Sequence, residues 1–475
     1  MTIETVTDKR YSSFYVDELD DNDVRADSRR QAVEKEIGLP PQVSRELEKI
    51  LSEDKYSGDL FGPNSLFSAS SPPPDTAFNS SIFTGDTWQN VAGAKDKFFV
   101  FSAFYDDRNP KIAYIRVIAA TLTRNSEQVK CKLWYNNPHK AVLVKAVNKP
   151  IRENWNLKYS AYFVFCILGD HEVPDAVSVV AKNKTHSNHL IVHNHPRTRR
   201  LLEANAIDFA VCVKPLHYEY NNVTRLIEFI EFNRLLGVSH FILYNHTIGS
   251  QVDCLLREYI RKGLVSVLQW QLDIKSQKEI RTEGLFASLN DCLYRTMFRF
   301  KFVLMIDLDE YIVPHLDRNL TELIHRLSAL NSNYYRRGAY SFQNAFFYLQ
   351  WPDDSSQVNR SSGQSRISNS LITLLKTRRK EKLHIHKQRS KLIVAPQRVV
   401  EVGNHFVWEF VPKYTVVNVS PRVAFLHHYR ICEYGGDDCV KTASVVDKRT
   451  HFWKSALIES VEKLYKNFTL QCNEN

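Results

Sequence analysis

Several kinds of segment are missing from this chain of 475 residues. No window approaches the roughly 18 consecutive apolar residues that carry a helix across a bilayer. The most apolar run, residues 161–169, is short and aromatic, with Tyr162, Phe163 and Phe165, and reads as a buried strand. Residues 1–60 are polar and charged and contain no apolar core of a secretory leader. Eight cysteines are present without one Cys-x-x-Cys pair, which argues against the common structural zinc arrangements. No helix-turn-helix, RNA-recognition or zinc-finger pattern occurs, so no nucleic-acid partner is expected. No internal repeat is visible.

What is present is a globular composition. Hydrophobic residues make up 43%, enough for one large or two modest cores. Lys and Arg total 63 against 53 Asp and Glu, a formal charge of +10. That balance suits anionic partners such as acidic lipid or a phosphate-bearing small molecule without choosing among them. The basic clusters at 197–200 and 376–382 read as solvated loops. Cys432 and Cys439 flank a Gly-Gly-Asp-Asp loop that a disulfide could close. Asn79, Asn183, Asn222, Asn245, Asn319, Asn359, Asn418 and Asn467 each sit in an N-x-[ST] frame, which tilts the reading toward the secretory route. With no signal or transmembrane segment visible, two readings stay open: an anchor outside the sequence as given, or a cytosolic protein with incidental sequons.

Composition divides the chain into three. Residues 1–90 are rich in Asp, Glu, Ser and Pro and read as a disordered, stalk-like leader, with some helix around 42–51. Residues 91–200 carry short β-branched and aromatic runs at 98–105, 113–122, 129–135, 141–147 and 160–168, which predict a small β-rich accessory domain. His186, His189, His193 and His195 have mixed spacing and read as a linker. From 207 to 460 the pattern becomes α/β. Strands at 209–213, 240–244, 264–270 and 301–306 alternate with helices at 224–236, 252–262 and 285–300, and Gly237 and Gly263 stop the first two helices. That alternation predicts a mostly parallel, Rossmann-like central sheet.

The strand at 301–306 ends in Asp307-Leu308-Asp309-Glu310. Ligands of open α/β sheets bind beyond the carboxyl ends of strands. Carboxylates two residues apart at such a tip can hold a hard divalent cation, which neutralises a diphosphate as it leaves. A solvated acidic turn is the alternative. Near the C-terminus an apolar piece at 422–426 leads into His427-His428-Tyr429-Arg430. An imidazole there could supply a further ligand and Arg430 a bidentate phosphate contact, or the pair could be structural. His405 could meet metal, phosphate or acceptor, or be a core histidine. Asn290 and Asp291 lie inside a helix, where both are poor residues, so sugar recognition or a kink must explain them.

Together these stretches resemble glycosyltransferase family 92, abundant in nematodes. The resemblance rests on Val211-Cys-Val-Lys-Pro-Leu216, on Phe229-Ile-Glu-Phe-Asn-Arg-Leu-Leu-Gly-Val238 followed by His240-Phe-Ile-Leu-Tyr244, on Asn290-Asp-Cys-Leu-Tyr-Arg295, on residues 302–311, on Ser390-Lys-Leu-Ile-Val-Ala-Pro396 and on His427-His-Tyr-Arg430. Upstream, Ser102-Ala-Phe-Tyr-Asp106 and Cys131-Lys-Leu-Trp-Tyr135 also look like nematode members. The resemblance implies a GT-A fold, a divalent cation (usually Mn2+), and inversion at the transferred sugar. It implies UDP-galactose as donor and a glycan acceptor, such as fucose of N-glycan cores, in β-1,4 linkage. It places Asp307 and Asp309 on metal and diphosphate, with His428 as a further ligand; Glu310, His405 and His427 are further candidate contacts from the reading of the residues themselves. It sets Arg430 near the phosphates, Lys214, Pro215 and Leu216 beside the nucleotide, and Asp291 at the donor sugar. Members usually carry Gln shortly after the glycine that opens the Asn-Asp-Cys helix; here Leu285 follows Gly284. Members are also usually single-pass Golgi proteins. An inverting transfer needs a base for the acceptor hydroxyl. Asp353, Asp354 and Glu409, expected in loops between the later strands, are the candidates. Two rival readings remain: a glycan- or nucleotide-sugar-binding relative without turnover, and a metal-dependent phosphohydrolase. The latter would want ligands for a second metal at other strand ends, where Val213 and Tyr244 stand instead.

Overall fold

The computed structural model describes residues 85–136, 141–182, 187–329, 336–354, 367–432 and 436–472. The leader up to residue 84, the helix expected at 42–51, and Asn79, Asn183, His186 and Asn359 lie outside those residues.

The first strands are β1 (Gln89–Asn90), β2 (Phe99–Asp106), β3 (Tyr114–Leu122), β4 (Lys130–Trp134), β5 (Ala141–Pro150), β6 (Tyr159–Ile167), β7 (Ala176–Val180) and β8 (Leu190–His193). They form one sheet in the order β1-β2-β3-β6-β5-β4-β7-β8, and β8 also pairs with β2. The sheet therefore closes on itself and leaves few edges to protect. The disulfide Cys131–Cys166 lies within it. β8 ends in His193, which pairs with Asp86 at 2.7 Å, and His195 caps α1 (Pro196–Ala204). The stretch read as a linker is thus ordered by strand pairing and a helix start.

The α/β part runs β9 (Ile207–Cys212), α2 (Val223–Leu235), β10 (His240–Asn245), α3 (Ser250–Arg261), β11 (Val265–Gln269), α4 (Leu285–Thr296) and β12 (Phe300–Met305). Asn222 caps α2 by accepting from the Arg225 N–H, and Gly237 (φ 101°) and Gly263 (φ 69°) supply the left-handed residues that end α2 and α3. The four strands are parallel in the order β11-β10-β9-β12. Strand order reverses between β9 and β12, so a crevice opens beyond their carboxyl ends.

The remaining elements are β13 (Glu310–Pro314), α5 (Leu320–Ala329), β14 (Arg337–Phe342), β15 (Asn344–Tyr348), α6 (Ile372–Leu375), β16 (Arg378–Lys380), β17 (Lys391–Val394), β18 (Val399–Val402), β19 (Val407–Phe410), β20 (Thr415–Asn418), β21 (Ala424–Arg430), β22 (Ser444–Val446) and α7 (Lys454–Cys472). β17, β14 and β20 extend the main sheet beyond β12, and β17 is antiparallel to both of its neighbours, so the sheet is mixed. β13, β21 and β15 form a second small sheet. Two expectations change here. Glu409 is not in a loop but in β19, paired with β18. His427 and His428 lie within β21 instead of beyond its end, and consecutive strand residues point to opposite faces.

All twelve residues of α4 are buried. One apolar cluster joins Phe101, Phe104 and Phe163 of the closed sheet to Leu289, Leu293 and Tyr294 of α4 and to Ala210, Ile242 and Val303 of the main sheet. The described residues from Gly85 to Arg430 and from Ala443 to Cys472 fall in one compact unit. Residues 431–442 are grouped apart and contain the Cys432–Cys439 disulfide. Among the described residues no helix is long and apolar enough to cross a membrane.

Candidate active site

The crevice between β9 and β12 collects charge from four directions. β9 runs into Lys214, whose ammonium lies 2.6 Å from Asp307 at the end of β12. β17 runs the other way, so its first residue, Lys391, arrives at the same tip. Its ammonium contacts Asp307 at 3.0 Å and Glu310 at 3.2 Å. β13 begins at Glu310, directly opposite His428 of β21. His428 reaches Asp309 through Nε2 (3.1 Å) and Glu310 through Nδ1 (3.3 Å). Three carboxylates thus meet two ammonium groups and one imidazole.

The three acids have different surroundings. Burial would raise Asp307, but Lys214 and Lys391 outweigh it and hold its carboxyl well below the usual carboxylate range. Asp309 is also held low, burial being outweighed by His428. Its side chain is 45% exposed, the most open of the three, so it forms the rim. Glu310 is 1% exposed, and burial pushes it up despite Lys391. Asp309 and Glu310 overcome burial at His428 and raise it.

The residues fit a divalent cation. Two ligands bound side by side on one ion, with bonds of about 2.1 Å, lie about 3 Å apart. Asp309 Oδ2 and His428 Nε2 have that separation. The other imidazole nitrogen faces Glu310 and Asn344 (3.0 Å). Asn344 Oδ1 is buried without a partner, and turning the amide over lets it accept the Nδ1 proton. Nδ1–H then donates to a carboxylate or an amide oxygen and frees the Nε2 lone pair, the outer-shell pattern of metal-bound histidine.

Other expected residues are placed as follows. Pro215 is buried, and Leu216 bridges to Asn245, continuing the β9–β10 edge of the crevice. Arg430 follows His428 on β21 with its guanidinium over the Phe346 ring at 5.0 Å. His405 is committed on both nitrogens, Nδ1 to the Ser390 carbonyl (3.2 Å) and Nε2 to the Asn404 amide (3.0 Å), and burial pushes it down to about 3. It stands behind Lys391, which also donates to Asn404 Oδ1. His427 faces away from this cluster, toward His315 and Asp447.

Asp291 is fully buried and accepts from Ser102, from Tyr244 (2.6 Å) and twice from Arg295 (2.8 Å each). Its oxygens are occupied by the core, so the expected sugar contact does not follow from its position. Asn290 instead ties α4 to β18, exchanging hydrogen bonds with the Val402 N–H (3.0 Å) and C=O (2.9 Å). Asp353 pairs with Lys376 (2.7 Å) and Asp354 with Lys448 (2.6 Å). Glu409 is gripped by Lys149 and Arg152 from the closed sheet, which outweigh burial and keep it below its ordinary range.

The sequence reading assigned no role to Glu153, Lys391, Asn344 or Glu283. Glu153 follows β5 and accepts from the Asn404 N–H (3.0 Å) and Trp408 Nε1 (3.3 Å). Burial raises it, with Lys391 and Lys214 near enough to oppose the shift. A side chain at Gly403 would collide with this carboxylate. Glu283 pairs with His246 at 3.4 Å on the Lys214 side, in a turn where Thr282 (φ 39°) and Glu283 (φ 52°) are both left-handed. Lys391 carried one readable signal: a lone Lys opening an apolar strand. Glu153 carried none, because it comes from another sheet more than 150 positions from Asp307 in the sequence.

A mixed α/β sheet thus carries a carboxylate, imidazole and ammonium cluster at its switch point, the place where open α/β sheets bind their ligands. Residues 207–470 match the sequence profile of glycosyltransferase family 92, and the chain belongs to that family. A curated relative is the Beta-1,4-galactosyltransferase galt-1 of Caenorhabditis elegans, 23% identical over 360 residues, covering 74% of this chain and 77% of the relative. Among solved structures, S. aureus TarS 1-349 in complex with UDP matches at 13% identity and a TM-score of 0.26, over 47% of this chain and 60% of that one. A second structure of S. aureus TarS 1-349 matches at the same identity and score, over 55% of this chain and 73% of that one. This chain therefore spans less than two thirds of the first of those structures.

Proposed function

We propose that this glycosyltransferase has a GT-A-type catalytic domain at 207–460, served by the closed β-sheet as an accessory domain. In this reading it moves galactose from UDP-galactose onto a glycan acceptor with inversion, forming a β-1,4 linkage. The observation that carries the reading is the 3.1 Å approach of Asp309 to His428 beside Asp307, at the switch point of the sheet. Asp307, Asp309 and His428 would hold a divalent cation, taken as Mn2+, which supplies charge neutralisation to the departing diphosphate. Lys214 and Lys391 already face Asp307 and add positive charge on the same side. Galactose and the β-1,4 linkage follow from the name of the nematode relative, and a fucose-bearing N-glycan core from the family resemblance.

The base in this reading is Glu153. A base must be a carboxylate able to take a proton near neutral pH. Glu409, Asp353 and Asp354 are each clamped by cations, whereas burial raises Glu153 toward the working range. The acceptor hydroxyl gives its proton to Glu153 as its oxygen attacks the anomeric carbon and UDP leaves. Secretory residence is part of the proposal: all eight cysteines are paired, and such bonds persist in oxidising compartments.

The test is a panel of UDP-sugars and glycan acceptors with purified protein, Mn2+ present or chelated. The proposal expects Mn2+-dependent transfer of galactose. Transfer unaffected by chelator, or donor binding with no transfer to any acceptor, contradicts it; the second outcome favours the non-catalytic relative.

A further inference from the structure

On the face of β21 opposite His428, a second group of potential metal ligands comes together. His315 follows the last residue of β13, His427 lies inside β21, and Asp447 follows β22. One ligand atom from each lies within 4.8 Å of the others. The two imidazoles are fixed by aromatic walls: Phe425 stacks on His315 (4.4 Å) and on His427 (4.9 Å), and Phe347 covers the other side of His427 (4.5 Å).

Two observations point to a ligand. His427 is completely buried, and its Nε2 has no hydrogen-bond partner; the same holds for the buried Nε2 of His315. A buried polar atom left unmade costs about 1–3 kcal/mol, so two such nitrogens in one cluster call for an occupant. The carboxylate of Asp447 is already oriented. Its Oδ1 accepts from the Arg449 N–H (3.1 Å) and its Oδ2 from Arg379 Nε (3.1 Å). Ligating carboxylates are commonly held by such outer donors. Asp447 remains 10% exposed, which gives the site an opening to solvent.

We propose that His315, His427 and Asp447 bind a divalent transition-metal ion of the zinc class, separate from the cation expected at Asp307 and Asp309. Two imidazole nitrogens and one carboxylate are a donor set that suits Zn2+, with a water completing four ligands. Bonds of about 2.1 Å bring neighbouring ligands to about 3.4 Å, so binding draws the three groups inward by roughly an ångström. The ion would tie the end of β13 to β21 and β22, on the side of the small sheet away from the catalytic cluster. Its role is structural.

The experiment measures metal content in full-length protein stripped with chelator and then dialysed against Zn2+. The Asp309→Ala background removes a ligand of the catalytic cation. In that background one zinc per chain is expected, and adding either His315→Gln or Asp447→Asn lowers the count by one. With Co2+ in place of Zn2+, the visible bands of four-coordinate cobalt should appear in Asp309→Ala and disappear with His315→Gln. His315 and Asp447 are partly exposed, so both variants are expected to keep native circular dichroism, and either one suffices. No zinc retained by Asp309→Ala, or the same stoichiometry with and without His315→Gln, overturns the proposal and leaves a water-filled cluster.

Discussion

Asp307, Asp309 and Glu310 are neighbours in sequence but differ in what surrounds them. Two ammonium groups hold Asp307 ionised, His428 holds the rim residue Asp309 ionised, and burial pushes Glu310 the other way. Spacing alone showed the three acids; it could not show that Lys391 and His428 reach them from strands about 80 and 120 positions later. If Glu153 is the base, Glu153→Gln should lower kcat by about 100-fold or more while leaving UDP-galactose affinity within about threefold. A parallel loss of donor affinity in a binding titration would place Glu153 among donor contacts instead. A second residue-scale prediction concerns His240. Burial pushes it down to about 4, with the Gly263 carbonyl and Ser266 as its hydrogen-bond partners. Its folded value lies below the ordinary histidine value, so its contribution is present above pH 6.5 and is lost as pH falls toward 4. Between pH 7 and 5 that loss is about 2 kcal/mol. Urea unfolding at the two pH values should show it, and His240→Gln should flatten the dependence; an unchanged slope contradicts the assignment.

At the scale of elements, α4 shows where reading the sequence succeeds and where it stops. The helix itself was legible from its apolar spacing. Asn290 and Asp291 were recognised as out of place in a helix, but the reason is burial on every side: Asn290 satisfies the backbone of β18, and Asp291 anchors Ser102, Tyr244 and Arg295. Asn290→Ala leaves the Val402 N–H and C=O without these partners and should cost about 2–3 kcal/mol by chemical denaturation, with donor affinity unchanged. A stable variant with weakened donor binding would restore the sugar-contact reading. The parallel strands were legible because helices separate them, the two after β9 and β10 each stopped by a glycine. The antiparallel strands after β12 were not, since short apolar pieces such as β17 and β18 carry no mark of direction or partner. In the closed sheet β2 to β6 were legible as strands, whereas β1 and β7 were not and β8 lay in the stretch read as a linker; the closure through β2 and β8 depends on pairings about 90 residues apart, such as Ala103 with Val192. The face alternation of His427 and His428 follows from strand period once β21 is known to continue through them.

At the scale of the molecule, disulfides join distant parts of the chain. Cys212–Cys292 fastens β9 to α4, and Cys254–Cys472 fastens α3 to the end of α7 across 218 residues. A cross-link of that span acts mainly on the unfolded chain. Replacing Cys254 and Cys472 together by Ser should lower stability by about 2–4 kcal/mol without altering the cluster around Asp307, as a denaturant midpoint alongside donor affinity would show. An unshifted midpoint would mean that packing of α7 alone closes the structure. Sequons also change meaning in three dimensions: Asn245 is 8% exposed at the end of β10 and offers little room for a glycan, whereas Asn418 is exposed. The central claim is that the switch point between β9 and β12 holds a cation and the diphosphate of a nucleotide sugar. Calorimetric titration of UDP-galactose into the protein, with Mn2+ and after chelation, tests it most directly, with Asp309→Ala alongside. The account predicts binding that weakens at least about tenfold without Mn2+ and equally in the variant. Affinity that is the same in all three samples would contradict it.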